Sequence, residues 1–426
     1  MADEDFDVIV VGAGPAGSAC AYTLAKAGKN VLLLERGDSA GAKNVSGGRL
    51  YAYALELVDP GLTRRAPLQR RIVREQVMLL SGLQATTLDH ADYGRDDLAA
   101  PSYSVVRATL DEWFAGEAEA QGASYASAMR VDGLLEEGGR IVGVKVGEDE
   151  MRAGTVVAAD GVNSMLGRQA GLFPELEPKA VGIGVKETIE LPDAVINQRF
   201  GVKDGEGAAR VAIGCTEGIS GGGFLYTNQG SISLGIVFNP EQAARHGRQI
   251  QDIFQDFKLH PAIAELIQGG TSLEYGAHLV PERGYHGIPA RLHREGLLVA
   301  GDAAQFGINT GMIIRGMDLA MVSGLAAARA ILQGGAPAGT GELYRAQLEA
   351  LLLLPNMRAY AGFHGIFGID RLFQEYPALA NEALRFLFTV DGQVPAPMLK
   401  QLRKIVQSKV SFRQLAADAW KGFRSL

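Results

Sequence analysis

The first thirty-five residues constrain this chain more than any other stretch. Phe6–Val11 is a short apolar run, and Gly12-Ala13-Gly14-Pro15-Ala16-Gly17 follows it at once. Ser18–Ala27 reads as a helix of small residues, broken by Gly28-Lys29-Asn30. Val31–Leu34 is a second apolar run, closed by Glu35. Continuous rather than alternating apolarity fits parallel strands covered on both faces. Gly12 permits a tight turn, Gly14 lets backbone touch a diphosphate, and Gly17 lets the helix pack close to the sheet. The free N–H groups and positive dipole end of the helix face the phosphates. Glu35 lies 21 residues after Gly14, where a carboxylate accepts hydrogen bonds from ribose hydroxyls. It also disfavours a 2′-phosphate, which leaves FAD or NAD. Cys20 falls on the small-residue helix and reads as core.

Two later motifs favour FAD. Thr155–Ala159 reads as a strand followed by Asp160-Gly161-Val162-Asn163-Ser164. Leu297–Ala300 reads as another, followed by Gly301-Asp302-Ala303-Ala304 and then Gly307, Asn309 and Gly311. Each places an Asp at the carboxyl end of a strand, where α/β sheets bind ligands. Asp302 suits the hydroxyls of a ribityl chain. A long helix is expected from about 312 to 332, its N-terminus facing the flavin's N1–C2=O2 edge. No second dinucleotide fingerprint follows. Gly182-Ile183-Gly184-Val185-Lys186-Glu187 lacks the third glycine and falls on an expected strand.

Charge and cysteine content exclude other classes. The net charge of −7 argues against nucleic acid as a partner. Two cysteines, Cys20 and Cys215, cannot hold an iron–sulfur cubane. They fit a reducing cytoplasm, and no metal site is expected. The start, Met-Ala-Asp-Glu-Asp, lacks the basic opening of a secretory signal. No segment reads as a membrane-spanning helix; Gly218–Phe238 reads as two strands around Thr227–Gly230. Ile232, Leu234, Ile236 and Phe238 alternate with Ser233, Gly235 and Val237, as in a half-buried strand. Gln251–Gly270 reads as two helical pieces split at His260-Pro261. Leu351–Phe373 is apolar enough for either a membrane-dipping plateau or an ordinary helical core. Residues 400–426 carry seven Lys or Arg against Asp418 alone. With the apolar residues of Met398–Leu426 at helical spacing, they predict a basic amphipathic helix for a lipid surface or acidic partner.

The ordered set Gly12–Gly17, Asp160-Gly161 and Gly301-Asp302 resembles the flavoprotein superfamily of p-hydroxybenzoate hydroxylase. Arg107, within Val105-Val106-Arg107-Ala108-Thr109-Leu110, resembles that family's Arg before a cofactor-contacting helix. Longer stretches are similar to the electron-transfer-flavoprotein:quinone oxidoreductase family, and within it to the FixC subgroup. They are Lys43–Tyr51, Gly222–Tyr226, Phe257–Pro261, Glu274–Ala277 and Arg315–Gly324. The resemblance implies FAD as cofactor and a flavin site built from Gly12, Ala13, Gly14, Pro15, Ala16, Gly17, Glu35, Arg36, Ser46, Gly47, Gly48, Arg107, Asp160, Gly161, Gly301, Asp302, Gly307, Asn309, Thr310, Gly311 and Met312. It implies electron transfer from an electron-transfer flavoprotein (FixA and FixB) to a quinone, beside a separate ferredoxin-like FixX. Electron bifurcation feeding nitrogen fixation is the role that resemblance carries, with a cytoplasmic, peripheral place on the inner face of the cell membrane. Glu282, Arg283, Tyr285 and Arg315 are candidate proton donors or catalytic groups. A prenyl (geranylgeranyl) reductase, an aromatic monooxygenase and a non-catalytic membrane-docking scaffold are alternatives on the same scaffold.

The expected architecture is α/β. A Rossmann-type FAD-binding domain takes residues 1–75, 101–185 and 275–335. An inserted antiparallel-sheet substrate (quinone) domain takes 76–100 and 186–274. A helical C-terminal region for partner or membrane contact takes 336–426.

Overall fold

The computed structural model describes residues 5–44, 47–92, 101–175, 177–312, 314–334, 339–394 and 396–425. Ser46, and residues 93–100 of the expected second domain, lie outside the described residues. The apolar runs of the sequence form the expected parallel sheet. Phe6–Val11 pairs in parallel with Val31–Leu34 on one side and with Asp149–Ala158 on the other. Ser124–Ala126 continues beyond Val31–Leu34, and Leu297–Val299 beyond Asp149–Ala158. The chain thus builds outward from Phe6–Val11 in one direction and then the other. The order reverses at the first strand, where the carboxyl ends flank a crevice suited to a dinucleotide. Helix Pro15–Lys26 leaves that crevice and packs against helix Met317–Gly334. The two cross at contact distance, because a Cβ on Gly324 would stand 1.9 Å from the Ala16 carbonyl oxygen. Cys20 is fully buried between them, as its place among small residues implied.

The second sheet has nine strands. Its order runs Thr271–Pro281, Val181–Glu190, Ser231–Phe238, Gly221–Thr227, Glu206–Ile213, Arg71–Ser81, Ser102–Val106 and Gly47–Tyr51, with Gln84–Ala91 paired to Arg71–Ser81. Pairing is antiparallel except between Glu206–Ile213 and Arg71–Ser81. Ser231–Phe238 is not half-buried as its alternation suggested; all eight residues are buried. One face packs under helix Ile250–Leu259, through Ile232, Leu234, Ile236 and Phe238 against Ile253, Phe254 and Phe257. The other carries Ser233, Gly235 and Val237, whose small size lets it lie close over the rest of the molecule. The break after Leu259 falls where the sequence put it. The His260 Nδ1 accepts the Ala262 N–H at 3.3 Å and starts helix Pro261–Ile267.

Arg70, just before the interior strand Arg71–Ser81, is the largest fully buried side chain among the described residues. Its Nε donates to the Asn228 carbonyl at 2.8 Å, and its Nη1 to Asn197 Oδ1 at 2.6 Å and the Glu206 carbonyl at 3.0 Å. Its Nη2 bonds Asp193. Arg70→Met strips donors from buried carbonyls, each costing about 1–3 kcal/mol. It is expected to destabilise the fold by about 3 kcal/mol, read as a lower urea midpoint at unchanged slope.

The C-terminal region is helical. Leu353, Leu354 and Met357 join the main core, while Leu352 and Tyr360 stay exposed. The core alternative therefore accounts for most of the Leu351–Leu354 run. The single amphipathic helix expected over the last residues is two, Met398–Lys409 and Phe412–Ser425. Ser411 separates them with a capping box: its Oγ accepts the Gln414 N–H at 3.3 Å, and Gln414 Oε1 accepts the Ser411 N–H at 3.0 Å. Asp418, the one acid of the segment, accepts Arg371 at 2.6 and 2.8 Å and Tyr376 at 2.6 Å. Trp420 and Phe423 remain exposed.

Candidate functional site

A cavity of about 750 Å³ lies between the two sheets. Its floor is the glycine turn. Gly12 sits at φ +100°, and a Cβ there would stand 2.4 Å from the Ala159 carbonyl oxygen. Gly14 has ordinary extended backbone, and its missing Cβ would point toward the cavity, 3.9 Å from Arg107 Nη2. Gly17 is pressed onto Gly12, 1.9 Å from Cβ to carbonyl oxygen. The chain therefore bares the helix N-terminus to the cavity, which is what a diphosphate requires. Glu35 accepts the Ala13 N–H at 3.1 Å and the Gly37 N–H at 2.7 Å, so the carboxylate also fixes the turn. Arg107 reaches the same floor, clamped by Asp111 at 2.7–3.1 Å. Burial pushes the Asp111 carboxyl up while Arg107 pulls it down. Asp160 Oδ2 accepts the Leu166 N–H at 3.0 Å, and its Oδ1 is buried without a protein partner.

Of the residues expected at the cofactor, Gly12, Gly14, Pro15, Ala16, Glu35, Arg36, Gly47, Gly48, Arg107, Asp160, Gly161, Gly301, Asp302, Gly307 and Asn309 line this one cavity. Ala13 and Gly17 sit behind it within the turn. Ser46 lies outside the described residues. Thr310, Gly311 and Met312 do not line the cavity. The long helix also begins later than expected, at Met317. Ile308–Asn309 instead pairs with Ile314–Arg315 as a short hairpin. The Asn309 Oδ1 accepts the Gly311 N–H at 2.8 Å, and Gly311 turns at φ +80°. That local bond competes with helix and delays it. Among the candidate catalytic groups, Glu282 and Arg315 line the cavity, and Arg283 and Tyr285 do not.

The roof comes from the second sheet: Lys186, Phe224, Tyr226, Val237, His278 and Val280. Gly184 pairs with His278 and Lys186 with Gly276, so both ionisable side chains stand on one face. Burial lowers Lys186 to about 8, with Arg107 adding to the fall and Asp302 opposing it. His278 is lowered to about 4, by burial first and then by Lys186, Arg107 and Arg36. Asp302 is pushed up by burial against the pull of Arg107 and Lys186. On the floor, Arg107 and the bare helix N-terminus suit a diphosphate, while the roof sets Phe224, Tyr226, Val237 and Val280 around Lys186 and His278.

Comparison with known proteins agrees with this geometry. Residues 7–100 match the FAD dependent oxidoreductase family. Residues 181–280 match the ubiquinone-binding region of electron-transfer flavoprotein:quinone oxidoreductase (ETF-QO), and residues 363–426 the ETF-QO/FixC family C-terminal domain. The chain is 42% identical to the probable electron transfer flavoprotein-quinone oxidoreductase YdiS of Escherichia coli K12, over 100% of both chains. It is also 42% identical to the protein FixC of Escherichia coli O157:H7, over 99% of both. The chain belongs to the ETF-QO/FixC family. It is an FAD-dependent oxidoreductase, and the residues around the cavity fit that cofactor. The fold is shared with a geranylgeranyl bacteriochlorophyll reductase-like protein of Thermoplasma acidophilum, at a TM-score of 0.70 and 20% identity over 95% of this chain and 96% of that one.

At the other end of the cavity this ETF-QO/FixC member gathers arginines and tyrosines. Arg49 is paired to Glu75 at 2.7 and 2.9 Å and lies 4.9 Å from the Tyr51 ring centre. Arg315 bonds Asp318 at 2.6 Å and the Tyr53 hydroxyl at 2.8 Å, and faces Tyr51 at 5.6 Å. The Tyr51 hydroxyl is buried without a hydrogen-bond partner. Sequence reasoning passed over Lys186, His278 and Tyr226 as functional groups. Lys186 and His278 are single polar residues on separate strands, and only the pairing register brings them together. Tyr226 fell within a stretch similar to the family, which was the available signal.

Proposed function

We propose that this protein binds FAD on its glycine turn, receives electrons from an electron-transfer flavoprotein and passes them to a quinone. The observation that carries the reading is the roof. Lys186, Phe224, Tyr226, Val237, His278 and Val280 of the roof all lie within residues 181–280, the part that matches the ubiquinone-binding region. In this reading Gly12–Gly17 and Arg107 hold the diphosphate, and Glu35 with Arg36 receives the adenosine ribose. Asp160, Gly161, Gly301 and Asp302 take the ribityl region, with Gly47, Gly48, Gly307 and Asn309 nearer the ring. Ser46, next to Gly47 in the sequence, completes the set. The bound flavin supplies the electron-accepting and electron-donating chemistry. The protein orients it, keeps water off the ring and provides a slot beside it under Phe224 and Tyr226, flanked by Arg49 and Arg315. A quinone ring is flat and apolar with two acceptor oxygens, and aromatic walls with cationic rims suit it.

The similarity to FixC proteins extends the proposal to a complex with FixA, FixB and a ferredoxin-like FixX, in which bifurcated electrons feed nitrogen fixation. Two cysteines, one fully buried, leave any iron–sulfur cluster to such a partner. No helix among the described residues is long and apolar enough to cross a membrane. The exposed Phe388, Leu399, Trp420 and Phe423, interleaved with Lys and Arg, support a peripheral place on the inner membrane face.

The experiment is stopped-flow reoxidation of the photoreduced protein by a soluble quinone. Full return of the oxidised flavin spectrum, at rates that saturate with quinone, is expected. Absence of reoxidation, or saturation of an isoprenoid double bond or hydroxylation of an aromatic in its place, overturns the quinone reading. Co-purification of a yellow complex with a two-subunit flavoprotein and a small ferredoxin-like chain tests the partners.

A further inference from the structure

We propose that Glu282 is the acid that protonates the quinone oxygen, seated in a recess that Gly182 leaves in the roof. The inference rests on the quinone reading above and names the group that completes its chemistry. A Cβ at Gly182 would stand 2.5 Å from Glu282 Oε1 and 2.6 Å from its Cδ, so the carboxyl fills the space a side chain would take. Gly182 pairs with Val280, two residues before Glu282, on the adjoining strand. The incomplete glycine pattern at 182–184 thus opens room for a carboxyl instead of cradling a second dinucleotide. Two further contacts hold Glu282. The Asn309 side chain hydrogen-bonds its carboxyl, and the His364 side chain hydrogen-bonds its backbone. His364 is exposed on segment Ala361–Gly368, so Glu282 lies between the cavity and the surface.

Reduced flavin supplies two electrons and releases its own proton to solvent. The Glu282 O–H bond breaks and an O–H bond forms on one quinone oxygen. The second proton comes from solvent, and solvent returns a proton to Glu282. An acid at this point must be protonated near neutral pH, and burial raises Glu282 to about 7 against the Asn309 bond. The other ionisable groups around it are His364, with Arg283 and His286 facing that imidazole, and Lys186 and His278 in the same cavity. Protonated Glu282 is the active form, so the rate of quinone reduction is highest below pH 7 and falls as pH rises through it.

The test follows reoxidation of the photoreduced full-length protein by a soluble quinone and by ferricenium, an acceptor that takes an electron without a proton. In Glu282→Gln the ratio of quinone rate to ferricenium rate is expected to fall about 100-fold, the usual scale of a positioned acid. The limb near pH 7 should disappear, and Glu282→Asp should restore part of both. An unchanged ratio with the limb intact overturns the assignment, as does equal slowing with both acceptors. A wild-type protein that quinone fails to reoxidise removes the quinone reading first, and this inference with it.

Discussion

Gly14→Val is expected to yield a folded protein that purifies colourless. Gly14 has backbone angles any residue accepts, and the nearest atom to a new side chain is the Arg107 guanidinium, 3.9 Å away. The fold should tolerate valine, while its methyl groups occupy the space where phosphate oxygens meet the helix N-terminus. Losing those hydrogen bonds and the dipole contact costs several kcal/mol in binding, enough to lower FAD affinity by roughly a thousandfold. Gly17→Val is the contrast. Its Cβ would strike the Gly12 carbonyl at 1.9 Å, so that variant should lose the fold as well as the colour. Far-ultraviolet circular dichroism with flavin absorbance separates the two. A yellow Gly14→Val protein with ordinary FAD content would refute the assignment of the diphosphate to this turn.

Acid should act on the flavin-free chain through His278. Its imidazole is lowered from 6.5 to about 4 in the folded state, so the unfolded chain binds more protons between those values. Stability linked to this group is complete above pH 6.5, shrinks as pH falls through the window and is gone below about 4. The linked loss is roughly 3 kcal/mol. Urea denaturation of His278→Gln beside the parent chain at pH 7.5, 5.5 and 4 should show the parent losing this much more than the variant. Lys186→Met should shrink the difference, because removing the neighbouring cation lets the imidazole titrate closer to its ordinary range. Identical pH profiles for parent and His278→Gln would show that the imidazole is not held neutral by its surroundings.

What the sequence revealed and what it hid divide along the range of the interactions. The βαβ unit was legible because its glycines, strands and Glu35 sit within one short span and each answers a local steric or hydrogen-bonding demand. The break at His260-Pro261 was legible for the same reason. The start of helix Met317–Gly334 was not, because an Asn309 bond and a two-residue ladder outweigh helical propensity there. Ser231–Phe238 alternates in polarity yet is buried throughout, since Gly47, Asn228 and the Phe224 ring cover the face that carries its serines and glycine. Arg70 precedes a strand and reads as an ordinary surface charge; its four partners come from segments more than a hundred residues away. Lys186 and His278 meet only through strand register, which no local pattern encodes. Glu282 was chosen as a candidate by position, and the reason to prefer it over Arg283 and Tyr285 came from the glycine across from it.

The order in which the chain visits its two sheets has a mechanical consequence. It runs from the parallel sheet (6–34) to the nine-stranded sheet (47–106), back (124–158), over again (181–281) and back once more (293–299), four crossings in all. A single flexible hinge could not serve so many tethers at once, since each would have to lengthen together. Opening the halves to admit a large molecule is therefore disfavoured, and a single proteolytic nick should leave them joined. A redox centre clamped in this way keeps a nearly constant tunnelling distance to whatever sits in the slot beside it, and traffic in and out must pass through the mouth of the cavity.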